Sequence, residues 1–282
     1  MSQQIMSRTG FLHPGAMGAS IAAICQGERL WCGEGRSGAT CRRAEAAGVT
    51  DAGGLDTLVE QSDVIVSVCP PGSAIEVAHA VAALGFEGVY VDANAVAPAT
   101  ARSMSELFEH FVDGGIVGPP VRSAGATRLY LSGDDAPQVA VRWAGGPLEV
   151  RLVEGGPGAA SAVKMCFAAW TKGTSALLLA IRALAAAEGV DEALLGEWTI
   201  SLPHLITQSG RDAATTAPKG WRFAGEMREI AASFEAHDLP GGFGHAAADV
   251  YARLAEFKDA TDATLPGVIA AVNRSDGRTL NR

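Results

Sequence analysis

The sequence predicts an α/β chain in which an N-terminal doubly wound parallel sheet is followed by an all-α C-terminal domain. Three observations carry this. Short β-rich runs alternate with Ala-rich helical stretches through the first half. A glycine turn, Phe11-Leu12-His13-Pro14-Gly15-Ala16-Met17-Gly18, lies between the first apolar run and a run of small residues. Beyond Gly155-Gly156-Pro157-Gly158 the pattern changes to long helical segments. Strands alternating with helices imply right-handed crossovers and a parallel sheet covered on both faces.

In chain order, strands are expected near residues 9–12, 30–32, 64–68, 89–91, 111–116 and 129–132. Helices are expected at 16–26, 38–48, 54–61, 74–84 and 98–110. Each strand ends in a turn carrying Gly, Pro, Asn or Cys, where ligands collect in open α/β sheets. After the Gly/Pro linker one Ala/Leu-rich segment runs from 159 to about 188, roughly 30 residues or about 45 Å of helix. Further helices are expected at 192–205, 224–236 and 243–257. The domains are read as 1–156, binding a dinucleotide, and 157–282, helical and serving substrate and dimer contacts.

Bulk properties exclude several classes. Of 282 residues, 48% are hydrophobic and 19% charged, which is a globular composition. A formal charge of −9 argues against nucleic acid or an anionic membrane as the main partner. The five cysteines (25, 32, 41, 69, 166) are odd in number and lack paired metal spacing, so free thiols in a reducing cytoplasm are expected. The start of the chain has no basic-then-apolar leader pattern, and no apolar run reaches spanning length. A soluble cytoplasmic protein is the expectation. The six histidines lack metal-ligand spacing, so no metal is expected, and no serine sits in a G-x-S-x-G elbow.

The glycine turn carries the first chemistry. A helix that starts there presents open N–H groups and a positive dipole end to an anion. Gly15 lets a pyrophosphate approach and Gly18 allows close helix–strand packing, as in G-x-G-x-x-G, the fingerprint of Rossmann-type domains. His13 stands where the first glycine would be. After the second strand the run is Cys32-Gly33-Glu34-Gly35-Arg36-Ser37, with no acid at the strand end. Arg36 can fork onto a 2′-phosphate and Ser37 can add a hydrogen bond, which points to NADP. The other reading makes Arg36 a solvated loop residue and Glu34 the ribose ligand, and so NAD. Arg42 and Arg43, one to two turns on, are read as surface residues.

These ordered motifs resemble the β-hydroxyacid dehydrogenase superfamily, with its 6-phosphogluconate and 3-hydroxyisobutyrate dehydrogenases and, more distantly, imine reductases. The segment from Phe11 to Gly18 resembles its glycine-rich start, with His13-Pro14 in place of Gly-Leu. Glu34 to Ser37 resembles its cofactor-selecting turn. Ser67-Val68-Cys69-Pro70-Pro71 resembles the loop along the cofactor. Asp92-Ala93-Asn94 through Pro98 resembles the turn near the nicotinamide, with Asn94 in place of Ser. Asp113 to Pro120 resembles the substrate loop, and Lys164 falls at the catalytic lysine. Three departures mark a divergent branch with a phosphogluconate-dehydrogenase-like C-terminal domain. The substrate loop's Ser and Gly-Gly become Val117 and Gly118-Pro119. The lysine's helical partner Asn becomes Ala168, and a second lysine is lost at Gly225-Glu226-Met227.

The resemblance implies a cofactor site of His13, Pro14, Gly15, Ala16, Met17, Gly18, Arg36, Ser37, Cys69, Pro70, Pro71 and Asn94. It places Val117, Gly118, Pro119 and Ala168 at the substrate. Lys164 lies in an apolar helical stretch that lowers an ammonium pKa toward proton-donor range; a snorkelling lysine is the alternative. Lys172, two turns on, could hold an anionic substrate group, as could Arg122, or be a surface or interface charge. Asn94 reads equally as an ordinary turn residue, and Cys69 as strand-end packing.

The expected activity is NADP-dependent hydride transfer with a small carbonyl or hydroxy compound, in the cleft between the domains. An imine reductase and a non-catalytic NADP-binding sensor are the alternatives. The apolar stripe at 176–187 predicts a homodimer through residues 159–260, with Leu178 and Leu179 on its contact face.

Overall fold

The computed structural model describes residues 8–274. The first seven residues, read above for a leader, and the tail from 275 lie outside the described residues. Strand β1 (Arg8–Phe11) leads through helix α1 (Ala16–Ala22) to β2 (Glu28–Trp31). Then come α2 (Gly38–Ala46), β3 (Thr50–Asp51), α3 (Leu55–Gln61) and β4 (Val64–Ser67). The alternation continues with α4 (Ala74–Ala83), β5 (Val89–Asp92), α5 (Pro98–Ser105) and β6 (Phe111–Val117). Strand β7 (Arg128–Ser132), α6 (Ala136–Ala140) and β8 (Glu149–Leu152) close the sheet.

The order across the sheet is β3-β2-β1-β4-β5-β6-β7-β8. The order reverses between β1 and β4, the switch point at which open α/β sheets bind ligands. Alternate residues of one strand feed opposite cores: Val64 and Val66 pack with Ile21 and Trp31, while Ile65 packs with Leu58 and Tyr90. A strand buried on both sides reads as a continuous apolar run, and β4 and β5 do.

The sheet departs from the expected parallel order at one pair. Strands β6 and β7 are antiparallel, with Val117 opposite Arg128. Residues 118–127 join them without a helix, and a parallel return needs a crossover of about a dozen residues or more. Strand β8 was not anticipated: it is an edge strand alternating charged and apolar residues, which blunts the edge and weakens the β signal. Two-residue β3 was also missed.

Helix α7 (Ala159–Ala187) matches its expectation. The chain divides into two compact units within it, one ending at Phe167 and the other beginning at Ala168. In the second unit α8 (Asp191–Ser201) stops short of 205 because Leu202 precedes Pro203 and leaves the helical region, with φ −143° and ψ 54°. The remaining helices are α9 (His204–Thr216), α10 (Gly220–Glu235), α11 (Gly242–Ala252) and α12 (Leu265–Asn273). Of these α9 and α12 were not expected, although Thr264 caps α12 by accepting from Gly267 N and Pro266 follows at its start.

Leu178 and Leu179 are buried within the chain, at 5% and 0% exposure, and so do not form the exposed stripe expected of them. The open face of α7 is Trp170, Leu177 and Leu184, at 73%, 60% and 62%, repeating every seven residues. Among the described residues no helix is long and apolar enough to cross a membrane.

Candidate active site

The glycine turn is built as the sequence requires, with one change. Gly15 takes extended backbone before α1, and its N–H donates to the His13 carbonyl at 2.7 Å. A Cβ on Gly18 would stand 2.6 Å from that same carbonyl, so only glycine fits there. A Cβ on Gly15 would meet no protein atom closer than 4.0 Å, so the turn is bare on its outer side. Among the described residues the non-glycine positions with positive φ are Asp238 and Asp259, so His13 sits in an ordinary conformation and the missing first glycine costs no backbone strain. Pro14 is buried, Met17 half-buried and Ala16 exposed. Burial, then the charge of Arg36, pushes the His13 imidazole down to about 4, so it is neutral at physiological pH. Its Nδ1 is buried and has no hydrogen-bond partner among the described residues.

Ser37 caps α2, its Oγ accepting from Thr40 N at 3.3 Å. Arg36, just before it, is exposed. Its charge also acts on Cys32 and Cys69, which places it near the ends of β2 and β4. Glu34 leans toward Gly54, its Oε2 lying 3.4 Å from where a Cβ there would be. Two residues matter here to which the sequence reading gave no role: Asp51, which it did not single out, and Arg43, which it read as a surface residue. Asp51, from β3, accepts from Gly33 N at 3.0 Å and Gly53 N at 2.9 Å, and brings a carboxylate to the end of β2 after all. Arg43 donates from Nε to the Pro14 carbonyl at 3.3 Å, tying α2 to the glycine turn.

At the ends of β4 and β5, Asn94 is buried, at 2% exposure, and its amide is fully engaged. Its Oδ1 accepts from Cys69 N at 2.5 Å, and its Nδ2 donates to Ser67 Oγ at 3.1 Å and to the Asp92 carboxylate. The side chain thus fixes the start of the Cys69-Pro70-Pro71 loop. Pro70 is exposed and Pro71 half-buried. Burial pushes the Cys69 thiol up to about 11, which suits a packing residue and not a nucleophile.

At the end of β6 the half-buried Lys164 donates from Nζ to the Ile116 carbonyl at 2.6 Å. Gly115 makes this approach possible: a Cβ there would lie 2.7 Å from the Ala160 carbonyl and 3.0 Å from Lys164 Cβ. Asp113 pins the start of α7. It accepts from Gly158 N (3.0 Å), Ser161 N (2.9 Å), Ser161 Oγ (2.5 Å) and Ser132 Oγ (3.2 Å). Burial pushes its carboxyl up, and these bonds oppose the rise. Of the substrate-loop residues, Val117 is buried, while Gly118 and Pro119 are exposed. Gly118 has φ +123° and would clash with the Ala126 carbonyl if it carried a Cβ. Arg122 is exposed on the same loop, which Ser20 Oγ tethers to α1 by accepting from Val121 N at 3.0 Å.

The structure therefore gathers the glycine turn, Arg36, Cys69, Asn94 and Lys164 at the C-terminal edge of one sheet. Ala168 and Lys172 belong to the second unit. Ala168 is buried. Lys172 pairs with Glu226 and lies 4.6 Å from the Phe223 ring centre, so it is no open surface charge. Among the described residues, no group of three or more His, Cys, Asp or Glu is arranged to hold a metal.

Comparison with known proteins defines the class. Residues 185–254 match a family model described as a domain of unknown function, DUF1932. An uncharacterized 28.5 kDa protein from the 7S RNA 5′ region of Methanothermus fervidus is 31% identical over 193 residues, spanning 67% of this chain and 74% of that protein. A conserved protein of unknown function, whose solved structure is described as similar to 3-hydroxyacid dehydrogenases, is 28% identical. It superposes with a TM-score of 0.64 over 89% of this chain and 97% of its own. The 3-hydroxyisobutyrate dehydrogenase of Mycobacterium tuberculosis, solved with L-serine, shares the fold at 19% identity and TM-score 0.65, over 95% and 100% of the two chains. The chain belongs to the family of the Methanothermus fervidus protein and, by its likeness to the 28%-identical structure, to the β-hydroxyacid dehydrogenase-like superfamily.

Proposed function

We propose that this protein is an NADP-dependent oxidoreductase acting on a small carbonyl or hydroxy compound. The observation that carries the proposal is Lys164 Nζ, held 2.6 Å from the Ile116 carbonyl on the sheet edge that also bears the glycine turn. The residues present suit a dinucleotide. The turn is bare at Gly15, the first N–H groups of α1 lack intrahelical acceptors, and Arg36 stands beside it to favour a 2′-phosphate. His13 to Gly18 would take the pyrophosphate, Arg36 and Ser37 the adenosine ribose, and the loop from Cys69 to Pro71 with Asn94 would shape the nicotinamide end. When bound, the nicotinamide gives or takes a hydride.

The chain's own part is proton handling. Lys164 exchanges its bond to the Ile116 carbonyl for one to the substrate oxygen and donates a proton as the carbonyl is reduced. In the reverse direction the neutral amine accepts it. A panel of carbonyl compounds assayed for NADPH oxidation tests this. Lys164→Ala should lose about 10²–10⁴ in turnover while NADPH affinity holds, and near-full turnover in the variant overturns the assignment. NADPH binding with no turnover on any substrate would leave a cofactor-binding sensor. Imine reduction is the second reading, favoured by apolar Val117 and Ala168, both buried, where the resemblance implies polar anchors; the same panel extended to imines decides it.

The free thiols support a reducing cytoplasmic setting. The heptad-spaced face of Trp170, Leu177 and Leu184 supports a homodimer through the helical region. Light scattering should give twice the 28.9 kDa chain mass. The double substitution Trp170→Arg with Leu177→Arg should give a monomer that still binds NADPH, and a wild-type monomer rules the dimer out.

A further inference from the structure

Arg43 is an exposed arginine held at two points. Its Nε donates to the Pro14 carbonyl at 3.3 Å and its NH2 to Thr40 Oγ1 at 3.0 Å. Thr40 Oγ1 is 3.1 Å from Ser37 Oγ, which in turn caps α2. A continuous relay therefore runs from the glycine turn through Arg43 and Thr40 to Ser37, the residue after Arg36. Fixing a long exposed side chain costs rotamer entropy, and two neutral acceptors at a surface return little of it. The arrangement gains its purpose if the guanidinium is held ready for an anion, since a pre-organised planar fork loses less per bond formed.

The surrounding charge agrees. Arg42 folds back over the start of α2, its NH1 lying 3.5 Å from where a Cβ on Gly38 would stand. Among the described residues, none of Arg36, Arg42 and Arg43 forms an ion pair. The two nearby acids are turned elsewhere: Glu34 toward Gly54, and Asp51 onto the N–H groups of Gly33 and Gly53. Arg43 NH1 has no acceptor in the protein among the described residues, and the relay holds it between the two turns that would flank the adenosine half of a dinucleotide.

We propose that Arg43 is a second phosphate-reading cation of this site, held by the Pro14–Thr40–Ser37 relay and directed, with Arg36, at the 2′-phosphate of the adenosine ribose. The proposal rests on the dinucleotide reading above and names a determinant of its specificity. Arg36 supplies the charge at the loop tip, and Arg43 supplies a fork fixed to the helix behind it. Thr40, bonded to both Arg43 and Ser37, is a positioning residue.

Calorimetry with adenosine 2′,5′-bisphosphate and with 5′-AMP tests this without turnover or a nicotinamide ring. The wild type should prefer the bisphosphate. Arg43→Ala should weaken the bisphosphate about tenfold, the scale of one charge-assisted hydrogen bond, and change 5′-AMP by less than about twofold. Thr40→Val, which keeps the charge and breaks the relay, should cost the bisphosphate roughly threefold, and Arg43→Lys should recover part of the loss. Thermal melts establish that each variant is folded; if Arg43→Ala is not, Arg43→Lys and Thr40→Val carry the test. An unchanged bisphosphate affinity in Arg43→Ala overturns the proposal. An equal loss for both probes also overturns it, because Arg43 would then only brace the glycine turn. A wild type that binds NADPH while Arg43→Ala is unaltered sinks this inference alone, whereas a wild type that binds neither NADPH nor the bisphosphate sinks the proposed function with it.

Discussion

The two units bury polar groups to different ends. In the N-terminal unit, Asp113 and Asn94 use hydrogen bonds to backbone N–H groups, alongside bonds to neighbouring side chains, to set turns at the sheet edge: one starts α7 over β6, the other sets the bend after β4. In the C-terminal unit the buried charge joins helices. Arg182, in α7, donates twice to Asp191 of α8, each at 2.8 Å, and once to Ser209 of α9 at 3.0 Å. Lys172 pairs with Glu226 of α10 in the same way. A sheet already fixes its strands through backbone pairing, so its polar side chains are left to shape the loops at its edge. Helices have no such ladder between them, and a buried ion pair can specify which faces meet.

The largest expected effect falls on the C-terminal side of this contrast. Asp191→Ala strands the Arg182 guanidinium, whose side chain is 7% exposed, and should destabilise that unit by about 2–4 kcal/mol, below the full cost of breaking a buried pair because Asp191 is 31% exposed. Calorimetric melting should show the loss. A melting curve unchanged from wild type would mean that the pair does not hold the helices.

A smaller effect is expected in the N-terminal unit. The folded His13 has a pKa of about 4 against an ordinary value of 6.5, so the neutral form is the one the fold favours. Its stabilising contribution is whole above pH 6.5 and is lost as pH falls through the window from 6.5 to 4. The full loss is no more than roughly 3 kcal/mol, at about 1.4 kcal/mol per unit. His13→Gln should flatten the fall in stability across that window. Identical pH profiles for the two proteins would show that the imidazole is protonated as readily in the fold as outside it.

What could be read from the sequence follows the same division. The glycine turn was legible because strand, glycine and helix punctuation are local, and so was the helix that carries Lys164, because it starts just past a Gly/Pro linker. Arg43 and Asp51 were not, since each acts on a partner in another element, 29 and 18 residues away. The anchoring by Asp113 spans 48 residues to Ser161 and has no local signature. In the helical unit the apolar stripe of α7 was plain, but the side left open was not. Leu178 and Leu179 were read as the contact face, whereas the open residues are Leu177 and Leu184. Helical periodicity gives a face, and only the neighbouring helices decide whether it is covered.

The central claim is that the sheet edge of the N-terminal unit selects NADPH through Arg36. Titration of the wild type and of Arg36→Ala with NADPH and with NADH, by calorimetry, tests it most directly. The account predicts NADPH binding about tenfold to a hundredfold tighter than NADH, the value of a charge-assisted contact of roughly 1.5–3 kcal/mol, with that preference reduced about tenfold in Arg36→Ala and the remainder held by Arg43. Tighter binding of NADH to the wild type, or a preference that Arg36→Ala leaves undiminished, would contradict it.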